Sequence, residues 1–150
     1  MSDSILTLIP VSPDYLPDER ARGCAEKLLR SMVPAADEVS SEALDFPRFF
    51  YAGANFESVS CPLCHADLDM NWWGDAMSSA FEHQPPLLAV TLPCCDASTS
   101  LNDLSYSWPQ GFARYGLAAR NPQLRELSPS QIQQLADAIG STIRPIWSHI

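Results

Sequence analysis

The chain has 150 residues and a mass of 16.5 kDa, which suits one domain with a single hydrophobic core. Hydrophobic residues make up 46% of it, so the chain is expected to fold and is not a disordered acidic segment. The 18 acidic and 9 basic residues give a formal net charge of -9, which argues against nucleic acids and anionic membranes as partners because both attract basic surfaces.

The N-terminal third is predicted to contain a strand and a helix. Residues 5–9 form a short β-rich run that stops at Pro10. Apolar residues then recur at three- and four-residue intervals over residues 21–32, as on the buried face of an amphipathic helix, and Pro34 ends the pattern. Cys24 belongs to this apolar face and is expected to be buried there.

The middle of the chain is predicted to alternate short strands with helices. Residues 35–47 are acidic and weakly patterned, which indicates a surface connection. Strands are expected around a turn at residues 53–55 and again at residues 87–92, with a helix over residues 69–82 between them. A further helix is predicted to begin at Ser107, with that serine as its cap. Its buried face would contain Phe112, Tyr115 and Ala119.

The C-terminal helix has the clearest start and end signals. Ser128 can cap its N-terminus, with Gln131 completing a capping box, and Gly140 supplies a left-handed stop. A closing strand at residues 142–147 contains Pro145, which lacks a backbone N–H for the sheet and therefore indicates an edge strand. The elements together predict an α+β fold in which helices pack on a mostly antiparallel sheet.

No stretch of the sequence has the composition of a secretion signal or of a membrane span, which needs about 20 apolar residues. We therefore expect a soluble cytoplasmic protein, in which cysteines stay reduced and cysteine pairs indicate metal binding or redox chemistry. The sequence also contains no glycine-rich phosphate-binding motif, which excludes a nucleotide-binding loop of that kind.

Four of the five cysteines occur in two pairs, and each pair follows a predicted strand. The pairs are Cys61 with Cys64 and Cys94 with Cys95. In the first pair, C-P-x-C, a two-residue spacer lets both sulfurs of a tight turn face one ion, and two such turns can supply a tetrahedral zinc site. The sequence therefore predicts a zinc-ribbon-like clip joining two strand ends, in an insertion at about residues 56–106 of a single domain spanning residues 1–150.

The second cysteine pair departs from the usual zinc pattern because its two cysteines are adjacent. Adjacent residues on a strand point to opposite faces, so both sulfurs can bind one ion only if the backbone turns there. Pro93 and Asp96 favour such a turn. If one sulfur faces away, the fourth ligand could instead be His65, His83 or Asp96.

The C-P-x-C motif has a second interpretation, as the active site of a thiol-disulfide enzyme or redox sensor using Cys61 and Cys64. Such an enzyme needs a depressed thiol pKa, commonly at a helix N-terminus. Asp67 and Asp69 lie just beyond the motif, and their negative charge would raise the pKa of a thiolate there. Zinc is therefore favoured, with redox chemistry as the alternative.

Several motifs, in the order found here, resemble an uncharacterised bacterial family of small proteins. They are C-P-L-C within residues 59–69, P-C-C within residues 92–96, S-L-N-D-L at residues 100–104 and W-P-Q-G-F-A-R at residues 108–114. The resemblance would cover about residues 9–147, and it implies no activity. At the level of the site, the chain is similar to zinc ribbons, which are more often structural or interaction modules than enzymes.

These features predict a non-catalytic interaction protein with a structural zinc. With four protein ligands, the ion has no open position for water, so hydrolytic catalysis is not expected. The acidic surface would meet a basic protein partner, for example as an immunity-type inhibitor that covers a cationic toxin. A third hypothesis is a small-molecule pocket between sheet and helices that uses Trp72, Trp108 or Asn102.

Overall fold

The structure is a computed structural model that describes residues 3–149. The helices and strands, in chain order, are β1 (Ser4–Pro10), α1 (Glu19–Met32), β2 (Glu38–Phe50), β3 (Val59–Ser60), α2 (Met70–Phe81), β4 (Ala89–Thr91), β5 (Ser98–Ser100), a short 3-10 helix (Leu101–Asp103), β6 (Ser105–Tyr106), β7 (Gly111–Arg120), α3 (Pro129–Ile139) and β8 (Ile143–His149). Across residues 3–149, no helix combines the length and the apolar character that a membrane span requires.

Four strands form one antiparallel sheet in the order β2-β7-β1-β8. Helix α1 connects β1 to β2 and helix α3 connects β7 to β8, so each helix joins two strands that have a third strand between them. This β-α-β-β-α-β order is the ferredoxin-like, or split βαβ, topology. The predicted α+β class with a mostly antiparallel sheet is confirmed, and β8 lies at an edge of the sheet as its proline indicated.

Helices α1 and α3 cover one face of the sheet. Leu6 and Leu8 lie two residues apart in β1 and therefore point to the same face of the sheet. Together with Leu117 of β7, they pack against Leu29 of α1 and Leu135 of α3. All five side chains are 0% or 1% exposed. Because burial of such a side chain stabilises a fold by about 1.5–3 kcal/mol, this layer is a main source of stability for the sheet.

The ends of the helices follow the capping signals in the sequence. Ser128 accepts a hydrogen bond from the backbone N–H of Gln131, and the Gln131 side chain accepts one from the Ser128 N–H. Gly140 ends α3 with a φ of 89°. Helix α1 begins after Asp18, whose carboxylate caps the helix by accepting the N–H of Ala21.

Cys24 is exposed, so its predicted burial is wrong. The buried positions of α1 are Ala25 and Leu29, and Cys24 points away from the face that they define. A helix on the surface of a sheet buries only part of an apolar stripe, which leaves the flanking positions in solvent.

Two sequence predictions about the sheet are wrong. Residues 35–47 were expected to form a surface connection, but most of them belong to the edge strand β2, which is polar because much of it faces solvent. The predicted helix from Ser107 is instead β7, a central strand. Phe112, Tyr115 and Ala119 are all buried in this strand. A strand covered on both faces is apolar almost throughout, so it lacks the alternation of apolar and polar residues by which a strand is recognised in a sequence.

The segment between β2 and β7, residues 51–110, is hereafter the insertion. Its strands form two small antiparallel pairs, β3 with β6 and β4 with β5, and its helix α2 was predicted closely. A second hydrophobic core holds these parts together. It includes Val59, Leu68, Met77, Leu92 and Leu101 of the insertion and Phe112 of β7.

Candidate metal centre

The first cysteine turn follows strand β3. The backbone N–H of Cys61 donates to the carbonyl of Ala66 at 2.8 Å, and the N–H of His65 donates back to the carbonyl of Cys61 at 3.1 Å. His65 has a φ of 65°, in the left-handed region. These two bonds close a tight turn whose side chains at its first and fourth positions are Cys61 and Cys64.

The second cysteine turn follows strand β4 and repeats the hydrogen bonding of the first. The N–H of Leu92 donates to the carbonyl of Ala97 at 2.8 Å, and the N–H of Asp96 donates to the carbonyl of Leu92 at 2.9 Å. Asp96 has a φ of 58° at the position that corresponds to His65. Both turns also have proline second and alanine last, so C-P-L-C-H-A and L-P-C-C-D-A are structural equivalents.

This equivalence explains how adjacent cysteines can face one ion. Cys95 takes the fourth position of its turn, as Cys64 does in the first turn, while Cys94 occupies the third position. The first position, where the first turn has Cys61, is filled by Leu92, which is completely buried. The backbone turn that the sequence required at this pair is therefore present.

The four sulfur atoms converge. They lie within 4.8 Å of one another, with 3.4 Å between the Sγ atoms of Cys64 and Cys94 and 3.9 Å between those of Cys61 and Cys95. A tetrahedron with Zn–S bonds of about 2.3 Å places its sulfurs about 3.8 Å apart. The four cysteines could therefore hold a metal ion.

The other candidate ligands are not part of this cluster. Among residues 3–149, the only group of histidine, cysteine and acidic side chains with metal-binding spacing consists of the four cysteines. His65 and Asp96 instead occupy the left-handed positions of the two turns. His83 lies just beyond the end of α2, where its backbone N–H donates to Ala80.

The backbone prepares Cys61 to be a thiolate. Its Sγ accepts hydrogen bonds from the N–H groups of Cys64 and Leu63, both at 3.3 Å. The bond from Cys64 is the main reason why the pKa of Cys61 falls to about 6; desolvation by burial opposes this shift, and the bond from Leu63 adds to it. The backbone therefore favours the thiolate form of Cys61.

The pKa of Cys94 moves the other way, to about 12. Desolvation disfavours its thiolate first of all, and the contacts of its sulfur with the other three cysteines, beginning with Cys64, raise the pKa further. The cluster thus contains one cysteine whose thiolate is favoured, Cys61, and one whose thiol a metal ion would have to deprotonate on binding, Cys94.

Exposure of the cysteines bears on what the cluster can do. Cys61 has the lowered pKa that both a metal ligand and a redox nucleophile need, but its side chain is 0% exposed. Cys64, Cys94 and Cys95 are exposed. A nucleophile must reach its substrate, whereas a metal ligand need only reach the ion, so this arrangement suits metal binding better.

Asn102 joins the insertion to the sheet, a role that the sequence did not reveal. Its side chain donates to the carbonyl of Phe112 at 2.9 Å and accepts from the Phe112 N–H at 2.7 Å. Arg144 of β8 donates to the backbone carbonyls of Asn102 and Gln110 at 3.0 and 2.8 Å. Asn102 is only 2% exposed, so these contacts serve to position the insertion.

Aromatic side chains pack beside this junction. Trp73 of α2 lies 5.0 Å from Phe56 and 6.1 Å from Phe49 between ring centroids, and its indole donates to the hydroxyl of Tyr106 at 3.3 Å. Trp72 also packs, half-buried, against the second core. Trp72 and Asn102 thus both contribute to the packing of the insertion.

The charge of the chain is concentrated in the insertion, which has no lysine or arginine. Its seven acidic residues are Glu57, Asp67, Asp69, Asp75, Glu82, Asp96 and Asp103. The rest of the chain, which forms the four-stranded sheet and helices α1 and α3, contains all 9 lysine and arginine residues. These nearly balance the acidic residues of that part. The most acidic part of the protein is therefore also the part that contains the cysteine cluster.

Comparison of the chain with protein-family models, with curated proteins and with solved structures finds no match. The predicted resemblance to a family of small bacterial proteins stays a prediction.

Proposed function

We propose that the protein is a non-catalytic interaction module in which Cys61, Cys64, Cys94 and Cys95 hold one structural Zn²⁺. The observation that carries the proposal is the convergence of four sulfurs from two equivalent backbone turns. Four thiolates complete a tetrahedral site and leave no position for a catalytic water. When bound, zinc would supply a cross-link between the two turns.

The chemistry of the ligands supports zinc over harder metals. Thiolates are soft ligands, and a tetrahedral set of four suits zinc or iron rather than magnesium or calcium. A cytoplasmic location, which we also propose, would keep the thiols reduced and available to the metal.

The small size of the strands that frame the cysteine turns supports a structural role. Strand β3 has 2 residues, and β4 and β5 have 3 each. Isolated two-stranded pairs of this length are at best marginally stable in water. A metal bound between the two turns adds its binding free energy to folding, and so would hold the insertion in one arrangement.

The acidity of the insertion supports a basic protein as the partner. Opposite charge across an interface raises the association rate and disfavours partners of the same sign. An immunity-type inhibitor that covers a cationic toxin is one function of this kind. Membership of the small bacterial protein family is part of the same proposal.

A thiol-disulfide function is the second candidate, because the Sγ atoms of Cys64 and Cys94 are only 3.4 Å apart and both residues are exposed. Titration of thiols in the purified protein, before and after addition of a chelator, separates the two functions. A structural metal predicts that only Cys24 reacts quickly until the chelator is added. Rapid reaction of further thiols in the metal-loaded protein would support the redox function instead.

A further inference from the structure

A cleft of about 230 Å³ lies where the end of the insertion meets the sheet and α3. None of the residues of the two cysteine turns lines this cleft, and the sequence did not predict it. Trp108 of the insertion contributes to one side of the cleft, and Trp147 and Pro145 of the edge strand β8 contribute to another. The other apolar residues that line it are Leu6, Pro109, Leu127 and Ile132.

Glu126 is the only residue lining this cleft that carries a charge, and its side chain is exposed. The cleft thus combines two indole rings, aliphatic side chains and one carboxylate. Indole faces attract cations through their quadrupole, and a carboxylate adds a direct charge. Apolar walls with an anionic group at an exposed position match an aliphatic chain that ends in a positive charge.

The size of the cleft limits what can enter it. Pockets for whole cofactors or drug-sized ligands measure about 300–1,000 Å³. A cleft of about 230 Å³ is large enough for one long side chain. Trp108 is 41% exposed, so its ring can meet such a side chain without unfolding of the surroundings.

We propose that this cleft binds the side chain of a lysine or arginine that a basic partner protein presents. Charge complementarity selects this occupant: the chain has a net charge of -9, and the one charged side chain that lines the cleft is the carboxylate of Glu126. The identity of the partner as a protein rests on the proposed function, whereas the preference of the cleft for an aliphatic cation does not depend on the metal.

The test uses the full-length, metal-loaded protein and three blocked amino acids: the N-acetyl methylamides of lysine, arginine and norleucine. Norleucine has the same kind of aliphatic chain without the charge. Binding is followed by NMR through the indole N–H signals of the 4 tryptophans, each assigned with a Trp→Phe variant. The expected result is saturable shifts of the Trp108 and Trp147 signals, with the two cationic amides binding about fivefold more tightly than norleucine amide.

Three variants locate the effect. Glu126→Gln should reduce the preference for the cationic amides to about twofold or less, since only the ring contribution remains. Trp108→Ala should abolish the shifts, and Trp108→Phe should restore part of the binding. Glu19→Gln, the matched control at an exposed glutamate of α1, should leave the affinities unchanged.

Equal binding of the norleucine amide, or no saturable shift with either cationic amide, would overturn the proposal. A free diamine that binds more tightly than the lysine amide would also overturn it, because the occupant would then be a small amine and not a protein side chain. Metal content is measured on the same samples, so loss of zinc and loss of cation binding are distinguished.

Discussion

Leu92 occupies, in the second cysteine turn, the position that Cys61 occupies in the first. Both side chains are completely buried, and the backbone N–H and carbonyl of each close its turn in the same way. Cys94, the cysteine that completes the cluster, stands two residues after Leu92. The cluster is therefore built from two equivalent turns that have their cysteines at different positions.

This equivalence predicts a ligand exchange. Cys94→Ala should weaken zinc binding by more than about 100-fold, because one of four ligands is lost. Adding Leu92→Cys to it should recover a large part of the affinity, since a sulfur at that position mirrors Cys61. Affinity is measured by competition with a chromogenic chelator.

The matched control for the exchange is Leu92→Val with Cys94→Ala, which disturbs the same core position without adding a ligand. Cys24→Ser should bind zinc like the unaltered protein, because Cys24 is not in the cluster. If the double variant with the new cysteine binds zinc no better than Cys94→Ala alone, the first position of the second turn cannot direct a sulfur toward the ion as the first position of the first turn does.

Zinc affinity should fall as the pH falls, and more steeply below about pH 6. The pKa of Cys61 is lowered to about 6, so above that pH its thiolate is already present and no proton is displaced from it. Below that pH the metal must displace about one further proton per site, which steepens the dependence of affinity on pH. Isothermal titration in several buffers measures the protons released, and an equal release at pH 5 and pH 7.5 would contradict the assignment.

Removal of the metal should loosen the insertion before the four-stranded sheet. The backbone N–H groups of Cys61 and Leu92 close the two turns and should lose protection from hydrogen exchange when zinc is chelated. Leu8 and Leu117, paired in the sheet and buried under α1 and α3, should stay protected. Equal loss of protection in both regions would show that the metal supports the whole fold instead.

Asn102→Ala should destabilise the protein by about 2–4 kcal/mol, because it leaves the buried backbone N–H and carbonyl of Phe112 without partners. Asn71→Ala, at an exposed position of α2, should change stability by less than about 0.5 kcal/mol. Both values come from urea unfolding at fixed zinc concentration. Similar values for the two variants would mean that Asn102 does not hold the insertion to the sheet.

The sequence was informative where the signal is local. The capping box at Ser128, the stop at Gly140 and the helix α2 depend on neighbouring residues, and each was predicted. Strand β7 was missed because a doubly covered strand shows no alternation, and its apolar residues happen to recur at helical spacing.

The cluster itself was predictable only in part. Cysteine spacing identified the four residues, but nothing in the sequence marks Leu92 as the counterpart of Cys61, because that relation lies in backbone hydrogen bonds. The sequence assigned Phe112 to a helix, so the contact between Asn102 and Phe112 could be seen only in the fold.

X-ray absorption at the zinc edge of the purified protein shows directly whether four sulfurs bind one zinc. We expect one zinc per chain with four sulfur ligands at about 2.3 Å and no oxygen or nitrogen ligand. A chain that purifies with well under one zinc and takes up none when reconstituted, or a spectrum with nitrogen or oxygen in place of one or more sulfurs, would contradict it.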